Sequence, residues 1–235
     1  MSEQTPRPGA RIAVIIPALN EEASLPKVLT SLPREAVDKV VVVDNGSRDS
    51  TADLARAEGA TVLHENRRGY GWACLAGIRF LEASSPDVLV FLDGDFSDYP
   101  EDLYDVVRPI VREGYDFVVG TRTQLAGKGA LLWHARFGNA LTTLLIRWLY
   151  GFSYSDLGPF RAIKFHRLLD LNMRDKTYGW TVEMQVKAVR KRLRVTEVPV
   201  RYRKRIGRSK VSGTIRGSLG AAYKILWTVV KCLRN

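Results

Sequence analysis

Five short apolar runs, each stopped by a polar turn and each separated from the next by helical spacing, constrain this 235-residue chain most. They are Arg11-Ile-Ala-Val-Ile-Ile16, Lys39-Val-Val-Val-Val43, Thr61-Val-Leu63, Val88-Leu-Val-Phe-Leu92 and Phe117-Val-Val119. Continuous Val, Ile and Leu without polar alternation is the pattern of strands covered on both faces. The intervening segments 21–32, 50–58, 71–83 and 101–112 carry apolar residues at helical spacing, and Gly59 offers a left-handed stop to the second. The order predicts an α/β fold with a mostly parallel sheet and helices on both faces. Ligands of such sheets bind beyond the carboxyl ends of the strands, where every polar cluster of interest falls. The second half is less regular: helices over 134–150, 164–171 and 181–191, a strand over 193–200, and a helix after 214.

One domain over residues 11–213 is the simplest division, with a flexible polar N-terminus, 1–10, and a basic, apolar C-terminal helix, 214–235. Residues 1–10 have no apolar stretch of the kind a secretion signal needs. No run reaches the ~18 apolar residues of a spanning helix. Segments 130–152 and 220–233 come partway and suit either a protein core or a membrane surface. Two cysteines form no disulfide framework, and three scattered histidines form no zinc spacing, so a reducing, cytoplasmic location is expected. The net charge of +11 is concentrated toward the C-terminus, most densely in residues 201–210. It favours an anionic partner.

The fourth run ends in Asp93-Gly-Asp95-Phe-Ser-Asp98. Two carboxylates two residues apart at a strand end can converge on a hard cation such as Mg²⁺ or Mn²⁺. The competing reading is an acidic turn, with Ser97 or Asp98 capping the helix that follows. Asp44-Asn-Gly-Ser-Arg-Asp-Ser-Thr51 follows the second run, where Asp49 or Ser50 can cap a helix, and Asn66-Arg-Arg-Gly-Tyr-Gly71 follows the third.

Together with Ile16-Pro-Ala-Leu-Asn-Glu-Glu22, these clusters resemble the inverting family 2 glycosyltransferases of the GT-A fold, over residues 11–125. The resemblance implies a mixed sheet. It places Pro17, Asn20, Glu22 and Asp44 around a nucleotide, counting Leu19 and Asn45 with them, and Gly69 and Gly71 near the base. Asp93 would lie near the ribose and metal, with Asp95 the main metal ligand. The second half resembles the polyprenyl-phosphate mannose or glucose synthases in Gly120-Thr-Arg122, Arg136, Asp156-Leu-Gly-Pro-Phe-Arg161 and Arg205-Ile-Gly-Arg-Ser-Lys210. By that likeness Arg122 and Arg136 bind acceptor and donor phosphates, Arg161 joins them, and the loop with Arg205, Ser209 and Lys210 closes over the site. The chain departs from those synthases where they have Ser-Gly-Phe-Arg, and lacks the transmembrane helices that some of them append.

The expected activity is transfer of a sugar from a UDP- or GDP-sugar to a lipid phosphate, at the cytoplasmic face of a membrane. An ionised phosphate needs no general base, whereas a hydroxyl acceptor does. Hydroxyl-acting relatives place a Glu-Asp pair at the start of the late helix. Here Trp180-Thr-Val-Glu183-Met offers Glu183 alone, the base of the alternative reading. A nucleic-acid module is disfavoured because aromatic and basic residues do not alternate as in a stacking platform. A nucleotidyltransferase would carry a Gly-rich basic loop where Asn20-Glu-Glu22 stands.

Overall fold

The structure is a computed structural model that describes residues 9–127, 129–130, 133–207, 224 and 226–232. Among the described residues, seven strands alternate with helices: β1 (Ile12–Ala18), α1 (Leu25–Ser31), β2 (Lys39–Asp44), α2 (Thr51–Ala57), β3 (Thr61–His64), α3 (Tyr70–Leu81), β4 (Val88–Phe91), α4 (Leu103–Glu113), β5 (Phe117–Thr121), α5 (Trp133–Tyr150), β6 (Arg161–Lys164), α6 (Phe165–Leu171), α7 (Trp180–Arg190) and β7 (Val195–Pro199). The sheet order is β3-β2-β1-β4-β6-β5-β7. Only β6 runs antiparallel, pairing Val88 with Lys164 on one side and Phe117 with Ile163 on the other.

Side chains alternate across each strand, so one apolar run feeds two cores. Ala13 and Ile15 face one core with α3, α5 and α7, while Ile12, Val14 and Ile16 face the other with α1 and α4. This is why β1, β2 and β4 could dispense with polar positions.

Two departures from the sequence pattern bear on the site. Segment 161–164 forms β6, although Arg161-Ala-Ile-Lys carries no strand signature; pairing on both sides creates it. Helix α1 begins at Leu25 rather than at residue 21, because the Glu21 carbonyl caps a turn by accepting the N–H groups of Ser24 and Leu25, and Pro26 then starts the helix. Residues 19–24 are thereby left as a loop over the strand ends. Gly59 has φ +78°, the left-handed stop expected of it. The described part of the C-terminal helix packs on the domain: Val229 and Cys232 are buried in the α5–α7 core, and the Val229 carbonyl accepts from the Tyr150 hydroxyl at 2.5 Å.

Candidate active site

The carboxyl ends of β1, β2 and β4 open into a cleft of about 410 Å³. Parallel β1, β2 and β4 end level with one another, so Pro17, Asn45 and Asp93 arrive at the same rim. Leu19, Gly69, Asp95 and Arg205 complete the part foreseen from sequence.

Asp93 sits at the floor. Its Oδ1 accepts from the Tyr70 hydroxyl at 3.2 Å. Burial, and then the charge of Asp95, push its carboxyl up to about 6. Asp95 is 4% exposed. Its Oδ1 accepts from the Ser97 N–H and hydroxyl at 2.9 and 2.5 Å, and its Oδ2 meets the Arg205 guanidinium at 2.6 Å. The carboxylate loop is held from outside by the basic segment. Arg203 and Ile206 donate their N–H groups to the carbonyls of Ser97 and Asp95, and the Arg203 guanidinium lies 3.4 Å from the centre of the Phe96 ring. Residues 201–206 are therefore a clamp on this loop rather than a solvated basic face. Asp98, at 1% exposure, has no hydrogen-bond partner among the described residues for either carboxylate oxygen, and burial beside Asp93 and Asp95 pushes its carboxyl well up.

Asn20, Glu22 and Asp44 stand beside the cleft and organise its rim. Asn20 Oδ1 accepts the Arg48 N–H at 2.8 Å, and Glu22 Oε2 accepts the Ser50 N–H at 3.1 Å. Of the two residues expected to cap α2, Asp49 does so: its Oδ1 accepts the Thr51 N–H at 3.1 Å. Asp44 holds the Ser47 N–H at 3.0 Å and the His64 ring at 3.1 Å. Glu21, one residue from the expected Glu22, is the acid of this loop that lines the cleft. Asn45 binds the carbonyls of Glu65 and Arg67 and the Gly69 N–H, each at 2.8 Å, which ties the loop after β3 to β2.

Gly71 is needed for packing: a Cβ there would lie 2.2 Å from the Asp175 carbonyl oxygen. A Cβ on Gly69 would be equally close to that of Lys176, at φ +143°. The two glycines admit segment 175–178, whose Thr177 and Tyr178 form the far wall. Nothing in the sequence signalled those two residues, because they lie about a hundred positions from the motif they face. Tyr70 was legible only as the unassigned residue between the two glycines.

Residues 13–170 match the sequence model of Glycosyl transferase family 2. The chain belongs to that family. It is 39% identical over 223 residues to an uncharacterized glycosyltransferase of Mycobacterium tuberculosis, covering 94% of this chain and 99% of the relative. It is 35% identical over 222 residues to an undecaprenyl-phosphate mannosyltransferase of Micrococcus luteus, 88% and 90% covered. A dolichyl-phosphate hexose transferase of Haloferax volcanii is 30% identical over 204 residues, 85% and 86% covered. Among solved structures, glucosyl-3-phosphoglycerate synthase from Mycobacterium tuberculosis with Mn²⁺, UDP-glucose and phosphoglyceric acid superposes with a TM-score of 0.74 at 25% identity. That match covers 95% of this chain and 79% of the other. The protein is a glycosyltransferase with the mixed GT-A sheet.

The family 2 acceptor residues fare unevenly. Arg122 binds Asp156 bidentately, Nε and Nη2 donating to the two carboxylate oxygens at 2.8 and 2.7 Å, and lies 5.1 Å from the Tyr202 ring centre. Asn139, on α5, accepts the Leu157 N–H at 2.8 Å, so the start of that helix stands over the Arg122–Asp156 pair. Arg136 is exposed one turn earlier. Arg161 requires a correction: it is 1% exposed and directs its guanidinium to the carbonyls of Leu157, Gly158, Pro159 and Thr181. Its donors are turned to backbone carbonyls, and it does not line the cleft. Ser209 and Lys210 lie outside the described residues.

Glu183 also departs from its expected place. It is 4% exposed and does not line the cleft. Its carboxylate accepts the N–H groups of Arg174 and Asp175, the latter at 2.6 Å, and pairs with Lys187 at 2.7 Å. The acid at the start of α7 is a brace for the 174–178 wall. Glu183→Gln is accordingly expected to lower stability by about 2 kcal/mol through weakened charged hydrogen bonds. Removal of a general base would instead lower kcat by about 10²–10⁴-fold with the melting temperature unchanged. Thermal melts beside transfer assays separate the two.

Proposed function

We propose that this glycosyltransferase moves a sugar from a nucleoside diphosphate donor to a polyprenyl-phosphate-type acceptor, with Asp93 and Asp95 holding Mg²⁺ or Mn²⁺. The observation that carries the donor half is the pair of carboxylates at the cleft floor, Asp95 buried and Asp93 half-buried, beside the rim formed by Asn45 and Gly69. The donor set fits such an ion: hard oxygen ligands, two mutually repelling acids, and room for diphosphate oxygens to complete the coordination. When bound, the ion would neutralise charge on the departing diphosphate. Arg205 faces the same carboxylates and supplies a second positive charge for that leaving group. Asn45 and the Gly69 backbone fix the rim against which the nucleotide would lie. Residues 11–213 are taken as the catalytic domain and 214–235 as its appended helix.

The acceptor half rests on α5. Phe137, Leu141, Leu144 and Trp148 form an exposed stripe at helical spacing, Trp148 being 80% exposed. Arg136 and Arg147 flank it, as on helices that lie at a lipid surface with cations toward phosphate. The named activities of the Micrococcus luteus and Haloferax volcanii relatives agree with a lipid phosphate. Among the described residues no helix is long and apolar enough to cross a membrane, so contact would be at the surface. An acceptor phosphate, ionised at neutral pH, would attack the anomeric carbon as the bond to the diphosphate breaks, with inversion and no proton to remove.

The test is radiolabelled transfer from UDP- and GDP-sugars to undecaprenyl or dolichyl phosphate in detergent, with Mg²⁺ or Mn²⁺. A metal-dependent chloroform-soluble product supports the reading. Product only with phosphoglyceric acid or another soluble acceptor would overturn the lipid half. The double variant Leu144→Glu, Trp148→Glu is expected to reduce transfer to lipid in vesicles by about tenfold or more. Calorimetry should find its affinity for UDP with Mn²⁺ unchanged.

A further inference from the structure

A second cavity, of about 900 Å³, lies behind the 174–178 wall between α6, α7 and the C-terminal helix. Thr177 lines both cavities, so the wall is shared. Among the described residues, seven Lys or Arg side chains and three carboxylates line the second one. Each carboxylate already has a cation: Glu183 pairs with Lys187 at 2.7 Å, Asp175 with Lys224 at 3.2 Å and Asp170 with Arg167 at 3.7 Å. Arg174, Lys191 and Lys231 are exposed to the cavity side without a carboxylate partner among the described residues.

The helix dipole accounts for Lys187, Arg190 and Lys191 at the end of α7, where cations are favoured. It does not account for Arg174 on the wall or for Lys224, and Lys231 stands at the end of a different helix from α7. Cations converging from three separate segments on one concavity repel one another and focus a positive potential there. Multiple phosphate groups relieve that repulsion through charge-assisted hydrogen bonds. A volume of about 900 Å³ exceeds a single phosphate.

We propose that this cavity is a second anion site, separate from the donor cleft, that takes a ligand carrying two or more phosphate groups. The probe is sodium tripolyphosphate, titrated calorimetrically into the full chain in EDTA. Without a divalent ion the carboxylates of Asp93 and Asp95 repel polyphosphate from the donor cleft. Saturable binding is expected, weakened at least about tenfold in the triple variant Arg174→Ala, Lys191→Ala, Lys231→Ala through loss of charged contacts. Those three side chains are exposed, so the melting temperature should hold; if it falls, Lys231→Glu alone serves, with the same direction of change. Sedimentation with phosphatidylcholine vesicles, with and without phosphatidylglycerol, identifies the source. Anionic vesicles that tripolyphosphate displaces point to lipid headgroups, and vesicles that do not bind point to a soluble polyphosphate. No binding by the wild type in EDTA, or equal binding by the triple variant, overturns the site. Metal-dependent sugar transfer by the same samples reports on the donor cleft independently.

Discussion

Asp95→Asn is expected to lower kcat/KM for sugar transfer by about a thousandfold, roughly 4 kcal/mol of transition-state stabilisation. The substitution keeps the shape and the Oδ1 acceptor for Ser97, so the loop 95–99 should hold its conformation. What is lost is the negative charge that Arg205 meets at 2.6 Å and that would anchor a divalent ion. Manganese-dependent UDP binding should vanish with activity while the thermal melt stays within a few degrees. A variant that kept more than about a tenth of wild-type kcat/KM would exclude Asp95 as the main ligand, since a single metal ligand contributes several kcal/mol.

Arg161→Ala is expected to act on stability instead, lowering it by about 4 kcal/mol. The guanidinium supplies the hydrogen bonds of Leu157, Gly158, Pro159 and Thr181 carbonyls in the interior, and lies 5.9 Å from the Phe117 ring centre. Truncation leaves a large void and several buried acceptors without donors. For a chain of this size that corresponds to a fall in Tm of about 8–16 °C. Urea unfolding and calorimetry check it. An unchanged Tm with a raised KM for the lipid phosphate would restore the phosphate-binding role that the likeness to polyprenyl-phosphate synthases implied.

The contrast between Asp95 and Arg161 shows where reading the chain succeeds. Both come from motifs with the same kind of resemblance, but only one stands at a strand end that opens on solvent. The run Val88-Leu-Val-Phe-Leu92 announces a buried strand, and whatever follows it must leave the sheet at its carboxyl edge. Asp93 and Asp95 were therefore placed by local pattern. Arg161 opens β6, a strand without an apolar signature, and its direction depends on antiparallel pairing with β4 and β5. That pairing turns the guanidinium inward.

The α/β class, the first five strands and the carboxylates Asp93 and Asp95 were legible in short stretches, because strand ends and turn residues are local properties, and the family resemblance added the cleft residues Pro17, Asn45 and Gly69. What Glu183, Arg161 and segment 174–178 do emerges from packing. Their partners lie far along the chain, and a carboxylate or guanidinium looks the same in sequence whether it faces a ligand or an orphaned backbone group. The same holds for the second basic cavity, whose charges come from segments separated by dozens of residues and become one surface only when α7 and the C-terminal helix pack together.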